Sequence, residues 1–102
     1  MNIGDFQKIN WLVPWRFSEP GLEKELAREV SPKHPLYKIE AIAVGRRQDN
    51  DDVLFFFPNH NPPLAVVHLT WNPESSSEFP SHHFFDSIDD FIENQMKKDN
   101  IR

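Results

Sequence analysis

Apolar positions change rhythm several times along this chain, and each rhythm implies a different element. The first stretch holds Ile3, Phe6, Ile9, Trp11, Leu12, Val13, Trp15 and Phe17. Pro14 disfavours a continuous helix from Trp11 to Phe17. Residues 1–17 are therefore expected to form a short helical turn and then an extended aromatic arm packed on the body. A period near four follows in Leu22, Leu26 and Val30, one stripe of a helix. Ser18 suits its N-cap, Glu19 its positive end and Pro20 its first turn. Ser31-Pro32 stops it, so the helix is expected over 18–30.

The period then shortens to two, or vanishes into solid apolar runs. "YKIEAIAVG", "DVLFFFP" and "LAVVHLTW" read as three strands, with "RRQDND" and "NHNPP" as turns between them. Turns this short imply an antiparallel meander over 37–71. Residues 72–81 read as a surface loop, and "HHFF" as a short fourth strand at an edge. A last helix begins at Ser87, with Asp90 three residues on in the manner of a capping box. Ile88, Phe91, Ile92, Gln95 and Met96 share one face, and Lys97 and Lys98 suit the helix C-terminus. Residues 82–98 thus carry a short strand and a helix.

The expected fold is a single α+β domain over 1–102. It has an antiparallel meander sheet of three to four strands. The N-terminal and C-terminal helices are expected mainly on one face. The second strand is apolar on both faces, Val53, Phe55 and Phe57 against Leu54 and Phe56, and so requires cover on both. The N-terminal arm is one candidate for the other face. A second copy of the chain is the other candidate.

Composition narrows the function classes. The 102 residues hold nine Phe, three Trp and one Tyr but no Cys. Disulfides, thiolate nucleophiles and Cys-ligated zinc are excluded, and a reducing cytoplasm is the expected location. No apolar run reaches the length of a membrane helix, and the N-terminus lacks the basic and apolar regions of a secretory signal. A net charge of −5, with Arg46-Arg47 and Lys97-Lys98 flanked by acidic residues, argues against nucleic acid as a partner.

His68 is the best candidate general base, because imidazole titrates near neutral pH. Thr70 lies two residues on, and Glu40 or Tyr37 would serve as partners if strand register brought them near. The competing reading is a histidine that is simply hydrogen-bonded in a sheet or interface. His34, His60, His82 and His83 supply imidazoles without HxxxH spacing, and no metal site is expected. "DNDD" at 49–52 opens like a calcium loop, but Leu54 stands where Gly is needed and His60 where Glu is needed. There is no phosphate loop and no G-x-S-x-G elbow, and no cofactor is expected. Ser75, Ser76 and Ser77 have no evident base, and Asp86, Asp89 and Asp90 read as helix-capping charge. Trp71 at a strand end is a candidate pocket wall, with Trp11 and Trp15 as a lid.

The strings "HPLYKIEAIAVGRRQDNDDVLFF", "AVVHLTW" and "FPSHHFFDSIDDFIENQM" resemble a family of small uncharacterised bacterial proteins of about this length. The resemblance spans roughly residues 33–99. It implies a bacterial cytosolic protein and carries no activity. Asn72-Pro73-Glu74 stands where that pattern has basic residues, which weakens any shared anion site there.

Two functions follow as expectations. The first is a non-enzymatic binding or accessory module acting through a protein partner or a homodimer. The alternative is a small hydrolase or ligand-binding enzyme centred on His68, with Thr70, Trp71 and Glu40.

Overall fold

The structure, a computed structural model, describes residues 1–101. Five strands form one antiparallel sheet in the order of the chain: β1 (Trp15–Phe17), β2 (Ile42–Arg47), β3 (Asp52–Phe56), β4 (Leu64–His68) and β5 (His82–Phe85). The α+β meander is as expected, but the strand count of three to four falls short. The extra strand comes from the arm: Trp15, Arg16 and Phe17 pair with Arg47, Arg46 and Gly45. Pro14 disfavours a helix running through it but is compatible with an edge strand after it. Ser18 prolongs this pairing, donating its N–H to Val44 O.

That pairing also shortens the first long helix. Ser18 belongs to the strand end, and Gly21 turns the chain at φ +150°. α2 therefore spans only Glu23–Glu29, with no side-chain cap at Leu22. The short N-terminal turn is α1 (Ile3–Gln7), closed by a reciprocal capping box between Asn2 and Asp5. The C-terminal helix begins as expected on Ser87, whose Oγ accepts the Asp90 N–H. Asp90 does not reach back to Ser87 but accepts the Asp86 N–H. This helix runs through α3 (Ile88–Phe91), a wider π turn (Ile92–Met96) and α4 (Lys97–Asp99).

Two cores sandwich the sheet. On one face Phe6, Trp15, Val44, Leu54, Phe56, Leu64, Val66, Phe85, Phe91 and Met96 are buried together. On the other, Leu26, Val30 and Leu36 cover Ala43, Val53, Phe55, Phe57, Ala65, Val67 and Leu69. The expected placement of both long helices on one face is thus corrected. α2 and the 31–41 connector cover one face; the arm, α1 and the C-terminal helix cover the other. The reason lies in the arm. By pairing at the β2 edge it brings Trp15 under Phe91 and fills the layer that α2 would otherwise occupy. Close packing is enforced at Gly45, where a Cβ would fall 2.6 Å from Trp11 Cη2. Both apolar faces are covered by the chain itself, so neither requires a second copy.

Candidate functional site

Strand β4 ends at His68, and two polar clusters diverge from that end. The first is on the helical-arm face. Asp52 stands opposite His68 across the β3–β4 ladder. His68 Nδ1 lies 2.7 Å from Asp52 Oδ1. Since the carboxylate accepts, Nδ1 carries the proton and Nε2 is left as an acceptor. Asp52, Val66, His68, Ser81, His82, His83 and Gln95 line a shallow groove of about 210 Å³. The His68 side chain is 52% exposed, so water competes for this contact and it contributes little to stability.

The groove lacks most of what the hydrolase reading needs. Ser81 accepts the His68 N–H through its carbonyl, and its hydroxyl makes no hydrogen bond to the imidazole. Thr70 and Glu40 are not brought to His68. Thr70 lies beyond the end of β4 and turns to the opposite layer. Glu40 accepts from Asn59 Nδ2, beyond the far end of β3. Tyr37 is solvent-exposed beside Lys38.

The second cluster is built on Glu29, which is fully buried. Its Oε1 accepts the Thr70 N–H at 2.8 Å, and its Oε2 accepts the Trp71 N–H at 2.8 Å. Thr70 Oγ1 lies 2.8 Å from Glu74 Oε2 and 3.1 Å from Glu29 Oε1, and its one proton serves one of them. The Glu29 carbonyl takes the Glu74 N–H. Burial raises the Glu29 carboxyl above its usual range, and the neighbouring Glu25 carboxyl pushes it the same way; the donors from residues 70 and 71 oppose this. Glu25 is held below its usual range by the Arg28 guanidinium, 2.8 Å away.

This carboxylate holds a strained loop. Trp71 sits at φ +61°, a left-handed conformation costing a non-glycine residue about 1 kcal/mol or more. Two hydrogen bonds from adjacent N–H groups offset that cost. The loop is pinned further along. Ser31 Oγ donates to Ser76 O. Buried His34 accepts the Leu36 N–H at Nδ1, so its protonated Nε2 donates to Pro80 O at 2.8 Å. Burial lowers the His34 pKa below its ordinary value. Thus the segment 29–34 fastens the loop at both ends. Outward from it point Trp71 and Phe79, 47% and 49% exposed.

The three tryptophans do not form the expected pocket. Trp15 is buried and donates to Asp99. Trp11 is half-buried and donates to Phe6 O. Both pack against Phe91, in the layer opposite the Glu29 cluster. Among the described residues no three His, Asp or Glu side chains are placed to hold a metal ion. His34 packs on His82, and His60 stacks on Phe84, so these rings pack along the sheet instead of converging. No described helix is long and apolar enough to cross a membrane.

Glu29 escaped the sequence reading, although a signal was present. It lies three residues after Leu26 and seven after Leu22, on the apolar stripe of α2. A carboxylate on such a stripe is buried only with partners. No family model, no curated protein and no solved structure matches the chain.

Proposed function

We propose that the protein is a non-enzymatic binding module and that the loop from Thr70 to Pro80 is its contact surface. The observation that carries this is the exposed Trp71 on a backbone locked by buried Glu29. A large exposed aromatic on a pre-ordered loop loses little entropy on binding, which is the property of an interface anchor. The loop supplies Glu74 and Glu78 and no basic residue, and the chain carries a net charge of −5. The partner it fits is therefore a basic protein surface with an apolar pocket for Trp71. Both sheet faces are covered by the chain itself, so the exposed loop, and not a sheet face, supports association. A cytoplasmic location remains part of the proposal, on the strength of the cysteine-free composition.

Affinity capture with wild type, Trp71→Ala and His68→Ala as baits tests this. The reading requires basic partners that release with salt, are lost with Trp71→Ala and are kept with His68→Ala. Partners retained by Trp71→Ala would overturn it. Light scattering across a concentration series covers a homodimer: a dimer that Trp71→Ala dissociates makes the partner a second copy.

The His68-centred enzyme is the second reading, supported by the oriented Asp52–His68 pair at the groove. It calls for hydrolysis of an ester substrate that His68→Ala abolishes. Turnover unchanged in that variant, or undetectable in wild type, would end it.

A further inference from the structure

Arg16 and Arg46 stand directly opposite each other across the β1–β2 ladder. Side chains so paired lie about 5 Å apart at Cβ, and like charges there repel. Among the described residues neither forms an ion pair. Arg16 donates only to the neighbouring Phe17 carbonyl, at 3.3 Å. Arg47, next in the chain and on the other face, is by contrast satisfied twice. It makes a two-pronged contact to Asp49 at 2.8 Å and lies 3.2 Å from Asp99. In a chain with 16 acidic and 11 basic residues, two facing arginines left without a carboxylate are a departure. They line an open groove of about 590 Å³ with Phe17, Ser18, Pro20 and Leu22, and Glu19 is the single acid in its wall.

We propose that this groove binds a phosphate monoester dianion between the Arg16 and Arg46 guanidinium groups. A carboxylate satisfies one guanidinium fork, whereas a tetrahedral dianion offers enough oxygens for two. The dianion also cancels the repulsion between them. Phe17, Pro20 and Leu22 give the organic portion an apolar wall. The site is independent of Trp71, since it lies beside the first turn of α2 while Glu29 ends that helix.

The test is titration with inorganic phosphate and with phenyl phosphate, at constant ionic strength against chloride, followed by the Nε–H signals of Arg16 and Arg46. Both probes should shift those signals, phenyl phosphate at lower concentration. Arg46→Gln should weaken binding about tenfold, and Glu19→Gln should strengthen it. Both sites are on the surface, so the variants are expected to fold. In the absence of phosphate Arg46→Gln should leave the melting temperature unchanged or raise it, because a repulsion is removed. Shifts no larger than those from chloride, or equal binding by Arg46→Gln, would overturn the proposal. Equal affinity for the two probes would overturn the role of the apolar wall and leave a site that reads the phosphate group alone.

Discussion

Two polar clusters leave the same end of β4, and they differ in nearly every physical respect. His68 is half-exposed and has one side-chain partner, Asp52. Glu29 is fully buried, with two backbone N–H groups donating to its carboxyl oxygens. Water competes for the first contact and is excluded from the second, so a hydrogen bond to a carboxyl group is nearly neutral in one place and structure-determining in the other. Chemical reactivity draws attention to the histidine; the energetics reside in the carboxylate.

Removing Glu29 should have the largest effect. Glu29→Ala leaves the part-buried N–H donors of residues 70 and 71 without their acceptor and a cavity under the loop, and should cost about 3 kcal/mol. A calorimetric melt should fall by roughly 15 °C. Glu29→Gln keeps one acceptor and should lose about half as much. Trp71→Ala should come next in magnitude but in a different observable. Partner affinity should drop by about 2 kcal/mol, near 30-fold, while the melt moves little.

Acid should then loosen the loop through His34. Its folded pKa is depressed, so the unfolded chain binds more protons as pH falls. Stability from this group is present above its ordinary value of 6.5 and declines as pH drops below it. Urea titrations at pH 7 and pH 5.5 isolate that loss as the difference between wild type and His34→Gln, because the raised Glu29 carboxyl shifts stability the opposite way as pH falls. His68→Ala should give the smallest change, within about 0.5 kcal/mol in the same titration. A loss comparable to that of Glu29→Ala would erase the contrast between the clusters.

The meander was legible because its signals are local: runs of apolar residues broken by short Pro, Asn and Asp turns. The helix start on Ser87 was legible for the same reason. What escaped depends on contacts remote in sequence. Trp15 Nε1 reaches Asp99 across 84 residues, and that closure sends α2 to the opposite face. Thr70 looks like a neighbour of His68 by strand alternation, yet its partner is 41 residues away. The acidic residue on the α2 stripe was the one local sign of that contact.

The most direct test is backbone hydrogen exchange at Thr70 and Trp71, in wild type and Glu29→Gln. If Glu29 locks the loop, both amides should exchange as slowly as the β3–β4 ladder and become faster in the variant. Exchange at free-peptide rates in wild type would mean that Trp71 is carried on a mobile loop. The pre-ordered contact surface would then be contradicted.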